Sequence, residues 1–105
     1  MQRVSIDVGP DGSLEVVLRG EVDFTNAAAS AEAIRAAIAA GRPAVVRVDL
    51  AAVTFLDSSG IGVLVQAMKA AAAADAAFRV EHPTDKVLDQ LHLAGLLEPF
   101  GVNQS

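Results

Sequence analysis

The feature that most restricts what this chain can fold into is a near-continuous apolar run, Ala44-Val45-Val46-Arg47-Val48-Asp49-Leu50, set between two segments patterned for helix. Such a run reads as a strand in the interior of a sheet, with parallel neighbours and cover on its faces. It leads into Val53-Thr54-Phe55-Leu56-Asp57-Ser58-Ser59-Gly60-Ile61-Gly62-Val63-Leu64, where a carboxylate, two hydroxyls and a glycine separate two hydrophobic blocks. A strand end feeding a helix start presents unpaired N–H groups that favour negative charge. Chemistry or regulation is expected first at that turn.

The flanking sequence supplies the rest of a sheet and its helices. Val4, Ile6 and Val8 alternate with Arg3, Ser5 and Asp7, and Leu14, Val16 and Leu18 repeat the alternation after the turn formers Gly9-Pro10-Asp11-Gly12. This predicts a β-hairpin whose second strand ends at Gly20. Thr25 or Asn26 is placed to cap a helix running to Ala40, with Ile34 and Ile38 on one face and Gly41 and Pro43 as the stop. Beyond the central turn, Ile61, Leu64, Val65 and Met68 fall at helical spacing and predict that helix's core face. The low-complexity patch Ala70-Ala71-Ala72-Ala73-Ala74 reads as helix tail by propensity and carries no functional signal. Ala77 to Glu81 predicts a strand ended by Pro83. Thr84 caps a third helix with Asp85 in its first turn and Val87, Leu88 and Leu91 facing inward; Gly95 closes it. Leu96 to Val102 is an apolar tail expected to pack back as a short strand or turn. The expected fold class is α/β, a mixed sheet of about four to five strands with helices packed against it, an opening β-hairpin then alternating α and β. One domain over 1–105 is expected, with no repeat and no linker.

Totals narrow the chemistry. The chain has 105 residues, 52% hydrophobic but only 4% aromatic, so its bulk comes from Val, Leu, Ile and Ala, which suits helices packed closely on a sheet. Zero Cys removes disulfides, thiolate catalysis and Cys-based metal sites. A net charge of -5 without a Lys/Arg cluster argues against direct nucleic-acid binding. The N-terminus, Met1 to Ile6, lacks the apolar core of a signal peptide, and the Ala70–Ala74 patch is flanked by Lys69 and Asp75. A cytoplasmic protein with no membrane attachment is expected.

Several chemistries can be weighed at the central turn. Ser58 or Ser59 resembles the serine of a nucleophile elbow in position, but the Gly-x-Ser-x-Gly spacing is absent. The candidate bases, His82 and His92, belong to a strand end and to the third helix, and nothing in the sequence places either near Ser58. A phosphoaspartate at Asp57 would need Mg²⁺ and helping carboxylates, for which Glu21 and Asp23 are the candidates; the two lysines, Lys69 and Lys86, lie far along the chain. As a metal site the same trio lacks a histidine and is separated by hydrophobic residues. No phosphate-binding loop is present, and Gly60 and Gly62 are better read as packing glycines. A regulatory reading remains, since phosphorylating a serine in the first helical turn adds about 1.5 to 2 negative charges and three acceptor oxygens. On physical grounds alone a capped helix start is the preferred account.

The run Phe55-Leu56-Asp57-Ser58-Ser59-Gly60-Ile61-Gly62-Val63-Leu64 resembles the signature of bacterial anti-sigma factor antagonists of the STAS domain family. Gly20-Glu21-Val22-Asp23 resembles that family's segment after the second strand, and Leu91-His92-Leu93-Ala94-Gly95-Leu96 its closing segment. The three matches come in the family's order over nearly the whole chain. The resemblance implies transcription regulation by partner switching: the unphosphorylated protein binds an anti-sigma factor, often a serine kinase, and so releases a sigma factor. It implies Ser58 as the phosphorylation site, with binding switched off by phosphorylation and restored by a serine phosphatase. Asp57 and Ser59 match the flanking recognition residues, Asp23 an acidic residue on the neighbouring loop, and Gly60 completes the partner-binding turn. ATP belongs to the kinase, so no cofactor, no metal and no catalytic residue is implied in this chain, which is expected not to be an enzyme. The alternative within the family is a STAS scaffold subunit of a lipid-transport or stressosome-type assembly, and the intact Asp57-Ser58-Ser59-Gly60 counts against it. The oligomeric state is left open.

Overall fold

The computed structural model describes residues 4–102. Its elements in chain order are β1 (Val4–Val8), β2 (Leu14–Val22), α1 (Ala27–Gly41), β3 (Val45–Leu56), α2 (Ser58–Ala73), β4 (Ala77–Glu81) and α3 (Asp85–Leu93). The strands form one four-stranded mixed sheet in the order β1-β2-β3-β4. The β1–β2 pair is antiparallel, as the hairpin alternation requires, and β3 lies between parallel neighbours β2 and β4. The expected fold class and the interior place of the Ala44–Leu50 run are therefore observed. Arg3, the first polar position of the hairpin alternation, lies outside the described residues.

Both parallel strands that lead to the turn are longer than their patterns suggest. β2 continues through Gly20, at φ +69°, to Val22, and β3 continues beyond Leu50 to Leu56. The ladder slips twice, between Val17 and Arg19 and between Gly20 and Glu21. Such irregularities let pairing resume after a kink, so the glycine bends the strand instead of ending it. The last paired residues, Val22 and Leu56, bring the ends of β2 and β3 together.

Cover lies on one face of the sheet, not on both. Leu14, Val16 and Leu18 of β2 and Val46, Val48 and Leu50 of β3 are buried in a single core with the helices. The alternate positions are only partly buried, and Glu15, Arg19, Arg47 and Asp49 among them carry charge. There Arg47 lies 3.5 Å from Asp11, 3.5 Å from Glu15 and 3.9 Å from Glu81. The Ser13 hydroxyl and amide hold the Asp11 carboxyl below the usual carboxylate range. An apolar strand with charges at every second position near its centre satisfies a half-open sheet as well as a closed one.

The helices depart from their expected faces in detail. In α1, Ile34 and Ile38 are buried as the spacing requires. In α2 the most buried positions are Gly60, Val63, Leu64, Ala67 and Ala71, while Ile61, Val65 and Met68 pack only partly against the core. The buried stripe runs through Gly60, Leu64, Ala67 and Ala71, and at Gly60 the helix lies directly against the ends of β2 and β3. In α3, Val87 and Leu91 are buried and Leu88 only partly so; the Thr84 hydroxyl caps it by accepting from the Val87 amide at 3.3 Å. The C-terminal tail forms turns. Phe100 is fully buried, its ring 5.7 Å from that of Phe78, and its carbonyl accepts from the Val80 amide of β4 at 2.8 Å. Among the described residues no helix is long and apolar enough to cross a membrane.

Candidate functional site

The parallel register of β2 and β3 sets the loop after Val22 beside the turn after Leu56, and Asp57 ties the two. Its backbone is extended, at φ -94° and ψ -171°, which aims the carboxylate at the first turn of α2. Oδ1 accepts from the Gly60 amide at 2.9 Å, the N-cap bond of the helix. Oδ2 accepts from the Phe24 amide at 3.2 Å, and the Asp57 amide donates to the Val22 carbonyl at 3.3 Å. One side chain therefore both starts the helix and fastens the neighbouring loop. Ser58 is the first residue of α2 and is exposed, while Ser59 is half-buried.

Gly60 is where α2 meets the sheet. A β-carbon there would lie 2.3 Å from the Val22 carbonyl oxygen and 2.9 Å from Leu56 Cδ2, so only glycine admits this approach. Gly62 has nothing within 4 Å of the same position and is not a packing glycine, contrary to the sequence reading.

The adjoining loop is built around Asp23. Its Oδ1 accepts from the Thr25 amide at 2.9 Å and the Thr25 hydroxyl at 2.5 Å, and its carbonyl accepts from the Ala27 amide at 2.9 Å. Asn26 holds the N-cap position of α1 but makes no side-chain cap bond. It turns back instead: Oδ1 accepts from the Asp23 amide at 3.2 Å, and Nδ2 donates to the Glu21 carbonyl at 2.9 Å. The loop satisfies its own polar groups, a local competition to which Asn and Asp are suited. Asp23, Asp57, Ser58, Ser59 and Gly60 are thus brought to one end of the sheet.

Two aromatic residues at this end escaped the sequence reading. Phe24 is 78% exposed and Phe55 39% exposed, and they are half of the four phenylalanines in the chain. The available signal was an aromatic between Asp23 and Thr25, in a loop, in a chain poor in aromatics. Lys86 Nζ lies 5.6 Å from the Phe55 ring centroid, within cation–π range, and Gln90 Nε2 donates to the Leu56 carbonyl at 2.8 Å. α3 therefore borders the same end of β3. Exposed apolar rings at the same end of the sheet as an exposed serine suit recognition by another protein.

Among the described residues, neither histidine is placed as a base for Ser58. His82 lies with Nδ1 3.7 Å from Asp49 Oδ2, along β3 and away from the turn, and His92 sits exposed in the last turn of α3. Asp57 is occupied by two amide donors, an arrangement suited to capping. Replacing Asp57 with alanine removes both bonds and is expected to lower unfolding free energy by about 1–2 kcal/mol. Asp57→Asn, which keeps one acceptor, is expected to cost less. Equilibrium urea denaturation measures both; no difference between Asp57→Ala and the parent would contradict the double role.

A family model described as the STAS domain matches residues 6–105. A comparison with curated proteins found no match. Among solved structures, an anti-sigma factor antagonist from Mycobacterium paratuberculosis is 30% identical, with 92% of this chain and 80% of that chain covered and a TM-score of 0.75. The phosphorylated form of SpoIIAA, the Bacillus cell fate determinant, is 21% identical over 92% of this chain and 86% of that one, at a TM-score of 0.73. A sulfate transporter family protein from Wolinella succinogenes is 19% identical over 90% and 76%, at a TM-score of 0.75. The last two likenesses establish a shared fold.

Proposed function

The chain belongs to the STAS domain family, and from that premise we propose that it is an anti-sigma factor antagonist switched by phosphorylation of Ser58. The unphosphorylated form binds an anti-sigma factor that is itself a serine kinase, and so releases a sigma factor. The kinase supplies ATP and transfers a phosphoryl group to Ser58, and a serine phosphatase reverses the step. This chain is then a substrate and a binding surface, not a catalyst, and works in the cytoplasm with its partners.

The observation that carries this reading is the placement of Ser58. It is exposed at the first position of α2, while the neighbouring carboxylate is engaged by the Gly60 and Phe24 amides. A kinase can reach the hydroxyl without unfolding the turn. The exposed rings of Phe24 and Phe55 supply apolar area for a partner to cover. Its likeness to an antagonist at 30% identity supports the same direction.

Incubation with candidate anti-sigma kinases and ATP, followed by mass-spectrometric mapping, tests the assignment. One phosphoryl group on Ser58 is expected. Label on Ser59 or Asp57, or none with a kinase that binds the protein, would overturn it.

A further inference from the structure

The polyalanine end of α2 has a consequence in three dimensions. Its small side chains do not fill the space beside the end of α1, and a cleft of about 710 Å³ opens between the two helices. Ala39 of α1 and Ala70 and Ala73 of α2 contribute its accessible apolar lining, and the buried Ile38 also borders it. The volume is within the range of about 300–1,000 Å³ usual for small-molecule sites.

Charge is distributed unevenly around this cleft. The chain carries a net charge of -5, yet three of its eight Lys and Arg residues, Arg35, Arg42 and Lys69, line this one feature against a single carboxylate, Asp75. Arg35 is paired with Glu32. The Arg42 and Lys69 side chains have no ion pair among the described residues. Arg42 also stands at the C-cap of α1 with φ +44°, the left-handed conformation that glycine adopts at lower cost. The cost of that conformation is offset in part by the arginine's charge at the helix C-terminus, and the side chain stands beside the cleft.

We propose that the cleft between the C-terminal ends of α1 and α2 binds a small organic anion, with Arg42 and Lys69 holding its acidic head and the Ala39, Ala70 and Ala73 side chains covering an apolar body. The complementarity is of charge and of polarity together: unpaired cations attract the head, and the apolar lining gains by covering the tail. The occupant is a free molecule of medium-chain carboxylate type. The site lies at the far end of α2 from Ser58, about 20 Å away at about 1.5 Å per residue, so it is separate from the proposed phosphorylation switch.

Titration of the full chain with decanoate, followed by amide NMR, tests this. Saturable shifts confined to the ends of α1 and α2 are expected, with decanol and inorganic phosphate each binding at least about tenfold more weakly. Arg42→Gly and Lys69→Gln are each expected to weaken decanoate about fivefold or more, and Arg42→Gly should melt no lower than the parent. If Arg42→Gly does melt lower, Lys69→Gln alone decides. Absence of saturation, shifts centred elsewhere, decanol or phosphate binding as tightly as decanoate, or undiminished binding by Lys69→Gln would overturn the proposal.

Discussion

With the proposed function, phosphorylation of Ser58 is expected to weaken binding to the proposed anti-sigma partner at least about a hundredfold, equivalent to roughly 2.7 kcal/mol. The cause is electrostatic and steric together. A group carrying about two negative charges would be placed in the proposed interface, next to Asp57 in the chain. Burying such charge without paired cations costs several kcal/mol. The N-terminus of α2 returns only part of this, since a helix dipole contributes about 0.3–1 kcal/mol at an exposed site. Within this chain, Lys86 is engaged at the Phe55 ring. Ser58→Ala should bind like the parent, and Ser58→Asp, with one charge on a shorter group, should fall between the parent and the phosphorylated form. Isothermal titration with the purified partner measures the series. Equal affinity for parent and phosphorylated protein would remove the switch; loss with Ser58→Asn as severe as with phosphate would assign it to bulk in place of charge.

The second large effect is structural. Gly60→Ala is expected to cost about 3–5 kcal/mol, a substantial share of the roughly 5–15 kcal/mol that holds a domain of this kind together. In an exposed helix the same change would stabilise by about 1 kcal/mol, because alanine has the higher helix propensity. Here the sign is reversed by contact. The added carbon would lie 2.3 Å from a backbone carbonyl, Val22 O, which cannot rotate aside as a flexible side chain can. Relief would require moving α2 away from the ends of β2 and β3, disturbing the Asp57 bonds to Gly60 and Phe24. Gly62→Ala is the control, since its site is open; it is expected to be neutral or to stabilise by up to about 1 kcal/mol. Urea denaturation of the two variants gives the comparison. Similar midpoints would show that the close approach at Gly60 is not enforced.

The contrast between these two glycines marks how far the sequence could be read. Both stand in one motif with the same apparent role, and only the neighbouring strand separates them. The same division runs through the fold. Alternation in β1 and β2, the apolar run of β3 and the caps at Asp57 and Thr84 are local patterns, written in residues a few positions apart. They were sufficient for the element order, the mixed sheet and the location of the turn. The lengths of β2 and β3 were not legible, because a ladder slip depends on the partner strand and leaves each strand's own alternation interrupted. Nor was the one-sided cover of the sheet, since Arg47 and Asp49 are compatible with ion pairing on an open face as well as with isolated charges in a covered strand.

The sequence by itself determined that Ser58 begins a helix behind a capping aspartate, because N-cap chemistry acts over three residues. Only the tertiary structure decided what surrounds that serine. Asp57 reaches the Phe24 amide across 33 positions of sequence, and this happens because parallel pairing aligns Val22 with Leu56. The pairing register, which no local period encodes, assembles Asp23, Phe24, Phe55 and the Ser58 turn into one surface.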